Sequence, residues 1–225
     1  MTERRPARRR LTQTQRREES TLRLHRAFAE LVSTQGYIRT TASEIGEHAG
    51  YSRNMVRDRF GSKQDLFFDF TIAAILEQQQ RSEAAPGTGM ERVLRIVEDV
   101  RARAEHAPMD QQAAYTIALE SAVAGHPLSA LVLAGIGDQI DYLTRSIAEG
   151  TTDGSIRPDV DPRTEAERVM AVGMGLAFEH VSGVSGLSPL ALVDLWRSAA
   201  LDRLAPTADG PAAEEEEEEE EEEAG

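Results

Sequence analysis

Leu24, Ala27, Phe28, Leu31 and Val32 recur at i, i+3, i+4, i+7 and i+8, a single apolar stripe along one side of a helix. The spacing predicts a helix over 17–35, stopped by Gly36 as its C-cap. Two much shorter apolar-periodic segments follow. Thr41-Ala42-Ser43-Glu44 is a capping box: the threonine hydroxyl takes an orphan N–H and the glutamate reaches back to the cap. It starts a helix that runs to His48, with Ala42, Ile45 and Ala49 inward. Gly50 permits the positive φ of a tight turn. Ser52 is expected to cap a helix over 52–59, with Val56 and Phe60 inward and Arg53, Asn54, Met55 and Arg57 outward. Gly61 breaks it, and Ser62 caps a longer helix over 62–83 whose inner side includes Leu66, Phe67, Phe70 and Ile75. After the break at Pro86 to Gly89, helices are expected over 90–106, 109–125, 128–150, 162–183 and 188–205. No stretch alternates apolar and polar long enough for a strand, and no internal repeat is found. The pattern predicts an all-α chain of about nine helices.

Composition narrows the chemistry. The 225 residues suffice for one or two domains. With no cysteine, disulfides, Cys-containing zinc sites and thiol nucleophiles are excluded, which suits a reducing compartment. No apolar segment follows the arginine-rich start, as a secretory signal requires, and the longest apolar run, Val169 to Phe178, is too short for a bilayer. A soluble cytoplasmic protein is expected. The five histidines show no metal-ligand spacing, and Glu179-His180 lacks the HExxH arrangement. No nucleophile elbow or phosphate-cradling loop is present. Neither enzymatic activity, a metal nor a cofactor is expected.

Charge divides the chain unevenly. The formal net charge is −14, yet residues 1–65 carry 14 Lys+Arg against 8 Asp+Glu. The remainder carries 11 against 31, ten of the acids in the run Glu214–Glu223. A basic cluster at one end is the footprint of nucleic-acid binding, though a solvated basic face has the same composition. The expected organisation is a disordered basic arm (1–15), a helix-turn-helix domain (16–65), a helical domain (66–205), and a linker with an acidic tail (206–225). The tail reads as solvating; folding back onto the basic domain is the alternative.

Two short helices joined by a tight turn and packed on a third form a helix-turn-helix, whose second helix enters the major groove. Arginine can fork onto guanine and asparagine onto adenine, so Ser52, Arg53, Asn54, Met55 and Arg57 are candidate DNA contacts. Thr40, Thr41 and Lys63 are expected at phosphates. A helical hairpin with a polar exterior would show the same pattern.

The stretch from Leu24 to Phe68 resembles the DNA-binding domain of TetR-family transcriptional regulators. The resemblance rests on Gly36-Tyr37, Thr40-Thr41, Ile45-Gly46, Ala49-Gly50-Tyr51-Ser52, Phe60 and Ser62-Lys63-Gln64-Asp65-Leu66-Phe67. Asp153 to Pro162 is also similar to many members. Asn54, Arg57 and Arg59 depart from the family, which has a small residue, tyrosine and histidine there. Arg57 would replace a neutral phosphate contact with a charged one, and Asn54 would add a base-reading amide.

The resemblance implies a homodimer on a palindromic operator in double-stranded DNA, acting as a ligand-responsive repressor; a non-specific nucleoid-type binder is the alternative. It also implies that the last two helices pair with their mates, for which Met170, Gly173, Met174, Ala177, Leu192 and Trp196 are candidates. An ordinary intrachain core has the same periodicity. A small apolar effector is expected among the central helices, with Phe70, Leu94, Tyr115, Leu119, Glu120 and Tyr142 as candidate contacts, against a reading of each as core or solvated face.

Overall fold

The computed structural model describes residues 12–71, 87–123 and 125–206. Its order is α1 (Gln13–Gln35), α2 (Ala42–His48), α3 (Met55–Phe60), α4 (helical over 63–71), α5 (Gly89–His106), α6 (Pro108–Ser121), α7 (Ser129–Asp153), α8 (Pro162–Ser182) and α9 (Pro189–Leu204). The described residues hold nine helices and no strand. Most of the arm, Ile75, the end of the linker and the acidic tail lie outside them.

Two starts differ from expectation. α1 begins at Gln13, because Thr12 and Gln15 form a capping box of their own, so residues 13–15 are helix rather than arm. α3 begins at Met55. Residues 52–54 form a turn, the Ser52 carbonyl accepts the Met55 N–H at 3.0 Å, and Asn54 occupies the cap without a side-chain bond. Ser52 is therefore no side-chain cap.

The buried residues form two clusters. One joins Leu24, Phe28 and Val32 of α1, Tyr37, Ile45 of α2, Val56 of α3 and Leu66 and Phe67 of α4. Ala113 and Ile117 of α6 belong to the same cluster, so α6 closes the core of the N-terminal helices. The other joins Val93, Ile96, Val97 and Val100 of α5, Leu143 and Ile147 of α7, Met170 of α8, and Val193, Trp196 and Leu204 of α9. Each such side chain taken fully out of water contributes ~1.5–3 kcal/mol.

The α8–α9 contact is fixed by Trp196. Its indole N–H donates to the Val169 carbonyl at 2.8 Å, so burial leaves no polar atom of the ring unpaired. The ring lies so close to Gly173 that a Cβ there would sit 2.5 Å from Cζ2. Glu165, almost fully buried, is held by Arg168 and Arg203 at 2.8 and 3.0 Å. Buried ions need such pairing.

Candidate nucleic-acid interface

The candidate interface is built on α2 and α3. Thr41 Oγ1 accepts the Glu44 N–H at 3.2 Å, and Glu44 accepts the Thr41 N–H at 2.7 Å. The Thr41 hydroxyl also donates to the Glu44 carboxylate at 2.7 Å, and this bond, with that from the Thr41 N–H, holds the carboxyl below its ordinary range. The turn that follows has Gly50 at φ 80°. α2 and α3 approach so closely that a Cβ on Gly46 would lie 2.5 Å from the Ser52 carbonyl oxygen. Val56 is fully buried beneath α3, and Met55, Arg59 and Phe60 are half-buried. The opposite side of the segment exposes Ser52, Arg53, Asn54 and Arg57.

The exposed groups are not equally free. Arg53 is 76% exposed but its Nε donates to Glu47 Oε1 at 2.5 Å. Arg57 has no ion-pair partner among the described residues. Arg39, exposed in the turn before Thr41, is likewise unpaired among them. Arg39 was missed as a candidate; its one sequence signal is its place beside Thr40-Thr41, facing the turn that leads into α2.

Three expected contacts are corrected. Thr40 is buried, its hydroxyl donating to the Gly36 carbonyl at 2.7 Å, so its side chain does not reach the surface. Lys63 Nζ donates to the carbonyls of Tyr37 and Thr40 at 2.6 and 2.7 Å and lies 3.8 Å from the Tyr37 ring centroid. Burial lowers its pKa, partly offset by Glu120 and Glu44. It ties α4 to the turn before α2 instead of standing free for phosphate. Met55 is half-buried and packs against the N-terminal core, leaving only part of the side chain outward. Arg59, one of the departures from the family, also turns inward. It donates to Ser20 Oγ at 2.8 Å and Thr21 Oγ1 at 3.0 Å, and also to the Arg17 carbonyl, binding α3 to α1.

The expected effector contacts scatter. Phe70 belongs to the N-terminal core, where its ring lies 5.4 Å from that of Phe28. Leu94 and Tyr142 pack against the second core, and the Tyr142 hydroxyl is buried without a hydrogen-bond partner. Leu119 is half-buried on α6. Glu120 is a strut: its Oε2 accepts the Tyr37 N–H at 2.8 Å, and buried His126 lies 3.8 Å away. Only Tyr115 lines the apolar cleft bounded by α5, α6, α8 and α9, which encloses about 30 Å³.

The expected dimer contacts are mostly internal. Met170, Ala177, Leu192 and Trp196 are buried within the chain, and Gly173 is filled against Trp196. Met174 is half-buried. α5 occupies the side of α9 that periodicity left open for a partner. The outer side of α8 and α9 instead carries Ala171, Gly175, Phe178, Leu195 and Ala199, with Phe178 56% and Leu195 48% exposed.

Residues 25–70 match the sequence profile described as bacterial regulatory proteins, tetR family. A comparison with curated protein sequences gives no match. Solved structures share the fold at low identity. A TetR transcriptional regulator from Chloroflexus aurantiacus aligns at TM-score 0.65 and 21% identity, over 84% of this chain and 98% of that one. A putative transcriptional regulator from Saccharomonospora viridis in complex with choline aligns at TM-score 0.64 and 22% identity, over 82% and 95%. The SmeT–triclosan complex, SmeT being the repressor of a Stenotrophomonas maltophilia multidrug efflux pump, aligns at TM-score 0.67 and 20% identity, over 85% and 93%.

Proposed function

We propose that this chain, a member of the TetR family of bacterial transcriptional regulators through residues 25–70, is a ligand-responsive repressor that binds a palindromic operator as a homodimer. The observation that carries the reading is the row Ser52, Asn54 and Arg57, exposed on a segment that Val56 and the α2 capping box hold rigidly against α1. Side chains on a fixed element can be presented to base edges in one register, which a flexible basic arm cannot do.

In this reading Asn54 reads a base edge, and Arg57, Arg39 and Thr41 meet the backbone. Arg53 must exchange Glu47 for DNA, so its pairing in the free protein reduces its contribution. The subunits pair through the outer faces of α8 and α9, around Phe178 and Leu195. Exposed apolar side chains of this size, aligned on two adjacent helices, favour a second copy as cover. Two-fold symmetry places half-sites about 34–36 Å apart, or a multiple of that.

An effector among α5 to α9 favours a dimer whose recognition segments are wrongly spaced. A coupling of about 1–3 kcal/mol would change DNA affinity ~5–150-fold. α6 supplies the route: Pro108 and Gln111 near its start and Tyr115 midway along it line the cleft, while Ile117 and Glu120 hold the N-terminal helices. The structural neighbours that were solved with choline and triclosan support ligand response as the mode of control. The work is done on DNA, in the cytoplasm, as a binding protein rather than an enzyme. Titrating an operator duplex and a scrambled duplex with full-length protein tests the reading. Tight, dimer-stoichiometric binding to the operator alone is expected, and equal, salt-sensitive binding to both would overturn it.

A further inference from the structure

Where the N-terminal helices meet α6, one carboxylate stands between two buried donors. Glu120 lies in the last turn of α6, and its Oε2 accepts the Tyr37 N–H at 2.8 Å. Its Oε1 lies against Gly36, where a Cβ would collide with it; only glycine leaves room, at φ 85°. The second donor belongs to His126, which precedes α7. The backbone of His126 is fixed on both sides: its N–H donates to the Val123 carbonyl at 3.2 Å, and its carbonyl accepts the Ser129 N–H at 3.1 Å. The imidazole is buried and lies against the Tyr37 ring, with centroids 5.5 Å apart.

Geometry sets which ring nitrogen carries the proton. The Leu128 N–H donates to His126 Nδ1 at 3.2 Å, so Nδ1 is an acceptor and the neutral ring is protonated on Nε2. That Nε2–H is buried and has no hydrogen-bond partner among the described residues. Glu120 Oε2 lies 3.8 Å from it, beyond hydrogen-bond distance. The oxygen therefore holds one donor and stands about 1 Å short of the other. Whichever donor it serves, the other is left unpaired in a buried site. The two positions of the carboxylate are thus matched in hydrogen bonds, and a small displacement of α6 decides between them.

We propose that Glu120 is a two-position switch: in one position it holds the Tyr37 N–H, and in the other it bonds His126 Nε2–H and releases Tyr37. The structure shows the holding position. The segment it acts on is short and carries groups that face outward. Residues 36–41 join α1 to α2, with Arg39 exposed and Thr41 capping α2. Lys63 also holds this segment, through the Tyr37 and Thr40 carbonyls, as does the Thr40 hydroxyl on the Gly36 carbonyl. None of these bonds reaches α6, so the Tyr37–Glu120 bond is the polar tie between the segment and that helix. The proposal rests on the regulator reading for its consequence at DNA: a released segment presents Arg39 and Thr41 less firmly, and operator affinity falls.

Two variants separate the ring nitrogens. His126→Asn keeps an acceptor near the Nδ1 position for the Leu128 N–H and removes the donor toward Glu120. His126→Gln places an amide N–H₂ near the Nε2 position. Hydrogen exchange of the Tyr37 amide is followed by NMR in the full-length, ligand-free protein, and operator affinity is measured on the same samples. His126→Asn is expected to slow Tyr37 exchange about tenfold and to tighten operator binding, because the competing donor is gone. His126→Gln is expected to return both toward the unmutated values. A merely structural histidine would speed exchange in both variants or move neither, and either result overturns the proposal, as does equal slowing in both. The unmutated chain gives a test that needs no variant to fold: relaxation dispersion at the Tyr37 amide and the His126 ring should report one common rate, and unrelated rates overturn the proposal. Specific operator binding with Tyr37 exchange unmoved sinks the switch alone. The expected exchange changes without sequence-specific DNA binding sink the regulator reading alone.

Discussion

Individual side chains of one type do different work here, and each assignment yields a separate test. Arg57 is exposed and unpaired among the described residues, so Arg57→Ala should weaken DNA binding almost uniformly across sequences and lower the salt slope by about one. Asn54→Ala should instead relax preference at one base pair, by about 1–3 kcal/mol. A change in the chosen sequence on Arg57→Ala would contradict the phosphate assignment. Lys63 is predicted to behave unlike a DNA contact. Because its ammonium is held by the Tyr37 and Thr40 carbonyls, Lys63→Met should cost about 1–3 kcal/mol of stability in urea unfolding and leave the salt slope of DNA binding unchanged. A slope lowered by one would restore the phosphate reading. Residue type alone could not separate these cases. Lys63 and Arg59 are cations at a helix-turn-helix, and only the carbonyls and hydroxyls that face them, supplied by segments up to 42 residues away, decide that they turn inward.

At the scale of elements, what was legible in the sequence was local chemistry. The capping box at Thr41, the positive φ at Gly50, and the helix start at Ser62, whose hydroxyl accepts the Asp65 N–H at 3.0 Å, are each dictated within a few residues. The Thr12 capping box was overlooked because the helix turn it begins carries no apolar stripe, so periodicity is silent there. The start of α3 was misplaced for a different reason. Ser52 is a good cap by type, but its backbone carbonyl is wedged against Gly46, which sets the turn. Gly46→Ala should therefore force α2 and α3 apart. It is expected to cost about 1–3 kcal/mol of stability, as overpacking does, and to weaken operator binding; unaltered binding would show that the contact does not set the recognition geometry. Tyr115, Leu119 and Glu120 of α6 were read as effector lining or as core and solvated face, and nothing in the helix periodicity shows that Glu120 reaches back to Tyr37. Glu120→Ala should uncouple α6 from the N-terminal helices: effector occupancy would persist while its effect on DNA affinity diminishes.

For the whole molecule, periodicity identifies apolar faces and leaves open whether the same chain or a second one covers them. Met170 and Trp196 were candidates for the subunit contact and are core, while Phe178 and Leu195 stand outside. Phe178→Glu with Leu195→Glu should convert dimer to monomer in sedimentation with little loss of helicity. Trp196→Ala should instead destabilise each subunit by about 3–5 kcal/mol. Acid should also weaken the fold. Burial lowers the pKa of His25, only partly offset by Asp69, so the unfolded chain takes up this proton first. The stability it contributes is complete above the ordinary histidine value and is lost as pH falls through the folded pKa. The melting midpoint should drop between pH 7.5 and pH 5.5, and less in His25→Gln. Further loss should begin as pH falls through the ordinary carboxylate range, where the unfolded chain takes up protons before Asp161 and Glu44, held low by their hydrogen bonds, do so in the folded state.

The central claim is sequence-specific recognition by a two-fold dimer. It is tested most directly by selecting random duplex DNA with the purified full-length protein at ~150 mM salt, where purely electrostatic binding is already weakened, and sequencing the bound pool. The account predicts a palindrome whose half-sites lie about one helical turn apart, or a multiple of it. A bound pool with no enriched sequence, and binding that disappears as salt rises, would contradict it and leave a protein that holds DNA by charge alone.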